Sequence, residues 1–109
     1  MGGSRIVDLR EPVETPHDGI VSRTIHSDES ARVVLFSFAA GQQLTDHTAP
    51  VPITIVVVEG EADIVVDGET HDGRTGSWIH VEANMPHSVL AKTPATMLLT
   101  LLKECKGRS

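Results

Sequence analysis

The sequence has no tyrosine, one tryptophan and two phenylalanines, an aromatic content of 3%. Phe36, Phe38 and Trp78 are too few to build the stacking platform on which proteins hold single-stranded nucleic acid. Positive charge is scarce as well: nine Lys and Arg stand against fifteen Asp and Glu, a formal charge of -6. Duplex binding draws its affinity from clustered cations that release counterions from phosphates, and no basic stripe exists, so nucleic acid is excluded as a partner. The single cysteine, Cys105, lies in a Lys-Glu-Cys-Lys tail. It cannot form an internal disulfide, fits a reducing compartment, and has no base beside it that would make it a nucleophile. The longest apolar run, Ile53 to Val58, contains a threonine and falls far short of a membrane span. The opening Met-Gly-Gly-Ser-Arg lacks the charged and apolar regions of a secretory signal. These absences predict a cytoplasmic protein with no membrane and no nucleic-acid partner.

What is present is β-forming sequence. Val, Ile and Thr supply thirty of the 109 residues, and these side chains pack best on a pleated surface. Runs from Ile20 to His26, Ala31 to Phe38, Ile53 to Val58, Ala62 to Val66, Ser77 to Val81, His87 to Leu90 and Thr96 to Leu102 read as strands. No stretch carries a helical period. Asp67-Gly68 between Val65-Val66 and Glu69-Thr70 is a hairpin signal, because both central positions of the favoured turn need positive φ. Glu59-Gly60 joins two further strands, and Pro50 and Pro52 prevent a regular central strand between them. The predicted fold is all-β, a small antiparallel β-barrel or jelly roll. A chain of this length carries one core. Residues 1–19, with Pro12, Pro16 and Gly19, read as an arm or edge segment, residues 20–102 as the barrel, and residues 103–109 as a frayed tail.

Six histidines stand out in this plain background: 17, 26, 47, 71, 80 and 87. His17 falls in the Pro-containing arm, His26 at a strand end and His71 just after a hairpin, all places where exposed polar residues are ordinary. His47, His80 and His87 lie among apolar and turn residues and are the candidates for chemistry.

Two segments resemble the paired motifs of the cupin superfamily. Gly41, five residues, His47-Thr-Ala49, then Ile53, six residues and Gly60 has the frame of the first motif, in which His-x-His and a glutamate supply metal ligands. Here Ala49 stands at the second histidine and Ile53 at the glutamate. Gly76, five residues, Glu82-Ala-Asn84, two residues and His87 is similar to the second motif, with Glu82 for its proline, Asn84 for its glycine and Ala91 for its final asparagine. The likeness runs from about residue 31 to residue 102. It implies a barrel whose ligands point inward to one divalent metal, usually iron, manganese, nickel, zinc or copper, and a homodimer. Of the family's four ligands, His47 and His87 remain.

Two imidazoles are fewer than the three protein ligands of an ordinary catalytic site. A further donor would come from His80, from Gln43, which shares strand parity with Thr45 and His47, from solvent, or from a bound carboxylate. Parity opposes His80, since Ile79 and Val81 look like the core face of their strand. Three readings stay open. One is an enzyme, of dioxygenase or isomerase type if a metal is bound, using His47 and His87; imidazole also serves as general acid and base without metal. The other is a metal-free module that binds or senses a small molecule in a cavity lined by side chains such as Leu35, Ile53, Ile55 and Val57. The third possibility is a barrel that has lost its site and serves as an oligomerisation partner. The apolar run from Met97 to Leu102 exceeds what one buried face requires, and open barrel edges leave backbone unpaired, so a homodimer is expected.

Overall fold

Alternation of side chains decides the fold. In the strand Ile53–Glu59, Ile53, Ile55 and Val57 are buried while Thr54, Val56 and Val58 are only partly covered, the period of a strand with one face on a core. The computed structural model describes residues 3, 4, 6–9 and 19–103. Most of the expected arm, including His17, and the tail beyond Lys103, including Cys105, lie outside the described residues.

Nine strands follow in order: β1 (Ile20–Ser27), β2 (Ala31–Phe38), β3 (Gln43–His47), β4 (Ile53–Glu59), β5 (Glu61–Val66), β6 (Glu69–Arg74), β7 (Trp78–Val81), β8 (His87–Ala91) and β9 (Ala95–Leu102). They form two antiparallel sheets, ordered β1-β2-β9-β4-β7 and β3-β8-β5-β6. Among the described residues no helix is long and apolar enough to cross a membrane. The inner faces meet in a core of Phe38, Ile53, Ile55, Val57, Ala62, Ile64, Val81, Val89, Ala91, Ala95 and Met97.

Seven strands agree with the sequence reading to within one or two residues, while β3 and β6 are additions. Neither has an alternating apolar pattern: β3 covers only Leu44 in part, and β6 buries only Gly73. The apolar surplus of β9 is explained by its position. It lies between β2 and β4, so Met97, Leu99 and Leu101 share the inward face with Ile53, Ile55 and Val57, and Leu98 lies on the outer face with Leu35.

Two turns fix the frame. Asp67 and Gly68 both have positive φ, 48° and 79°, as the two-residue hairpin requires. Gly60 has a φ of 100°, and a β-carbon there would run into the Pro94 carbonyl oxygen and approach Ala95 Cα to 2.8 Å. The closing glycine of the first motif is thus a packing requirement between the β4–β5 and β8–β9 turns.

Candidate functional site

The site is built where β3 meets β8. Gln43 pairs with Leu90 and Leu44 with Val89, but the next pair is His47 with His87, three residues on along β3 and two along β8. The extra residue is a bulge, which re-aims the side chains beyond it. Leu44 and His47 therefore both face inward, and Gln43 does not share the face of His47. The uninterrupted parity assumed for residues 43 to 47 fails at this bulge, and Gln43 is exposed beside Leu90 on the outer face.

His47 and His87 are brought together: their ring centroids are 4.2 Å apart with the planes at 59°. Each ring is held the same way. His47 Nδ1 donates to the carbonyl of Thr45 at 2.8 Å, and His87 Nδ1 to that of Met85 at 3.0 Å. A carbonyl oxygen can only accept, so in the neutral ring the proton sits on Nδ1 and the lone pair on Nε2. His47 is exposed, whereas His87 is 2% exposed and its buried Nε2 has no hydrogen-bond partner among the described residues. An unpaired buried acceptor costs about 1–3 kcal/mol. Such a cost is commonly found where a polar atom is kept for a ligand.

Both histidines line one cavity of about 410 Å³ between the sheets, together with Ser22, Arg32, Val34, Phe36, Leu44, Thr48, Ala49, Pro50, Ile53, Leu99 and Leu101. The four positions at which the family resemblance sets ligands, 47, 49, 53 and 87, all reach this cavity, and two of them present hydrocarbon. The Asn84 N–H donates to the Ala49 carbonyl at 2.7 Å and ties the two motif loops together. Asn84 takes a φ of 63°, a conformation asparagine tolerates better than most residues, which explains how it replaces the motif glycine.

The remaining candidates lie elsewhere. His80 pairs with Thr54 on the outer face of β7 and stacks on Trp78 with centroids 6.4 Å apart, so it cannot complete a centre with His47 and His87. His26 bonds Asp28 at 2.8 Å, and His71 lies 3.4 Å from Glu69, both on the exterior. Of the side chains expected to line a cavity, Ile53 does so. Ile55 and Val57 belong to the sealed core, and Leu35 occupies the opposite face of β2. Arg32 was not among the expected residues, although it shares strand parity with Val34, Phe36 and Phe38, and that parity is the signal that would have found it.

The donor set can be tested against a metal directly. Backbone-anchored Nδ1 atoms orient imidazoles as metal-binding histidines are oriented. The set nevertheless stops at two: among the described residues no three His, Cys, Asp or Glu side chains form a group that could hold a metal ion, and the places of the missing ligands carry a methyl and a branched alkyl group. These residues do not by themselves fit a resident catalytic metal.

Comparison with known proteins agrees with this architecture. The family model described as "Cupin domain" matches residues 34–101. An RmlC-like cupin protein from Desulfovibrio desulfuricans is 30% identical, with 92% of this chain and 97% of that one aligned at a TM-score of 0.85. A conserved protein of unknown function from Streptococcus pyogenes is 28% identical over 96% of this chain and 92% of its own, with a TM-score of 0.84. A salicylate 1,2-dioxygenase from Pseudaminobacter salicylatoxidans shares the fold at 19% identity, over 76% of this chain and 26% of that one, with a TM-score of 0.73. No curated protein matches the chain.

Proposed function

The chain belongs to the cupin family, and from that premise we propose that its barrel binds a small organic molecule against the His47–His87 pair without a resident metal. The observation that carries this reading is that His87, whose buried Nε2 lacks a hydrogen-bond partner among the described residues, lines a cavity walled mostly by hydrocarbon. A ligand hydroxyl or N–H donating to that atom would recover its lost hydrogen bond, while the apolar walls take the ligand body. Ala49 and Ile53, in place of a histidine and a glutamate, favour binding over metal-assisted chemistry.

The competing reading is a metal-dependent enzyme of dioxygenase or isomerase type, with His47 and His87 as its protein ligands. The anchoring of both Nδ1 atoms on backbone carbonyls favours it. Melting curves separate the two. On the metal-free reading, members of a broad small-molecule library raise the melting temperature and a chelator leaves both baseline and shift unchanged. Loss of the shift on chelation would support the metal-dependent enzyme, and a library with no active member would remove the binding reading.

We propose further that two copies pair through the outer face of the five-stranded sheet. That face carries Trp78, 62% exposed, with Val21 and Leu102 also uncovered, apolar side chains that a second copy would cover. Sedimentation at micromolar concentration should find a dimer; a monomer alone would refute the pairing.

A further inference from the structure

The geometry points to a small monocarboxylic acid as the ligand of this cavity, with Arg32 as the anchor for its carboxylate; the inference rests on the binding reading above and narrows it. Arg32 pairs with Leu101 across β2 and β9, and Leu101 is the partner of Ile53 across β9 and β4. The three residues therefore form one inward-facing row at the cavity end of the sheet, and all three line the cavity with His47 and His87.

Among the described residues Arg32 is the charged residue of that lining, and no Asp or Glu lies within it. Its observed contact is with a neutral group, Nη2 donating to Thr24 Oγ1 at 3.2 Å. Among the described residues no carboxylate forms an ion pair with it, although Arg74 and Lys92 have each found one in this acidic chain. A guanidinium has five N–H donors in a planar fork that matches a carboxylate bidentately. Because Arg32 is exposed at the mouth, it remains hydrated when the cavity is empty and can exchange that water for an anion.

The rest of the wall sets the shape of the ligand. Val34, Phe36, Leu44, Ile53, Leu99 and Leu101 supply an apolar lining. In the same lining, the lone pair of His87 Nε2 lacks a donor among the described residues. A cation, hydrocarbon walls and a buried acceptor around one cavity specify an acid with an apolar body that also carries a hydroxyl or N–H. A dianion or a sugar phosphate would find, among the described residues, one guanidinium and no further cation.

The test is isothermal titration of the full chain with straight-chain and phenyl-substituted monocarboxylates of four to ten carbons, with and without a terminal hydroxyl, each beside its primary alcohol. Acids should bind about tenfold more tightly than the matching alcohols, the value of one charge-assisted contact, and lose that advantage as salt rises. Arg32→Gln should erase the difference between acid and alcohol while leaving alcohol binding in place, and Arg32→Lys should restore part of it. Equal binding of acids and alcohols, unchanged in Arg32→Gln, would overturn the anion anchor and leave the cavity reading standing. Selective acid binding that Arg32→Gln does not alter would overturn the assignment to Arg32. Binding by no member of either series would overturn the monocarboxylate assignment, while the cavity reading falls only if the broad library also yields no thermal shift.

Discussion

His47 and His87 are direct cross-strand partners on β3 and β8, and each donates its Nδ1 proton to the carbonyl two residues before it. The chain thus prepares two imidazoles anchored alike, one exposed and one buried, in the lining of one cavity. A pair of core histidines would satisfy each other or the backbone at both nitrogens, yet His87 leaves Nε2 unpaired.

If that atom is kept for a ligand, removing it should cost function more than stability. His87→Leu replaces a buried polar ring by an apolar side chain of similar volume, so relief of the unpaired acceptor offsets the lost Met85 contact. Its denaturant midpoint should correspond to a change within about 1 kcal/mol of the wild type, while ligand-induced thermal shifts disappear. Severe unfolding with no effect attributable to binding would mean that the imidazole serves the fold.

Asn84 gives a backbone test of the link between the two motifs. Asn84→Gly should be neutral or mildly stabilising because the φ of 63° suits glycine better still. Asn84→Val should cost about 1–3 kcal/mol by forcing a β-branched residue into the left-handed region. Equal stability of the two variants, read by urea unfolding, would show that the conformation is not required.

The glycine between β4 and β5 should tolerate nothing larger. Gly60→Ala must displace the backbone at Pro94 and Ala95, since the new methyl has no flexible neighbour to push aside, and a loss of about 2–4 kcal/mol is expected in chemical denaturation. Gly68→Ala, with open space around its Cβ position and only the positive φ against it, should lose distinctly less.

Acid stability should depend on Asp28 in the β1–β2 turn. The hydrogen bond from the His26 ring, followed by those from the Ser30 and Ala31 N–H groups, lowers its carboxyl from 3.8 to about 2. A carboxylate whose folded value is depressed contributes stability above the unfolded value and loses it as pH falls through the folded one. Asp28→Asn should therefore melt below the wild type above about pH 4, and the gap should close as the pH approaches about 2. A gap that persists unchanged at the acid end would assign the effect to something other than this ionisation.

Much of this was legible in the sequence because apolar side chains mark inward positions at every second residue, Ile53, Ile55 and Val57 in β4 and Ala62, Ile64 and Val66 in β5, while the Asp67-Gly68 pair marks the hairpin and the apolar runs of β2 and β9 mark two more strands. The motif frame located His47 and His87 although they stand forty positions apart in the numbering. What failed has local causes. A bulge between Leu44 and His47 changes facing without leaving a trace in residue type, so Gln43 seemed to accompany His47. β6, the edge strand Glu-Thr-His-Asp-Gly-Arg, is exposed on nearly every residue and offers no apolar period. Arg32 escaped because an arginine within a strand ordinarily faces solvent, and its part in the cavity emerges only when β2, β9 and β4 are set side by side.

The central claim, a histidine pair that meets a ligand without a resident metal, is tested most directly by elemental analysis of untagged protein, wild type beside His47→Ala and His87→Ala. The account predicts transition metal far below one atom per chain in all three samples and no change between them. One iron, manganese, nickel, zinc or copper per wild-type chain, lost in either variant, would contradict it.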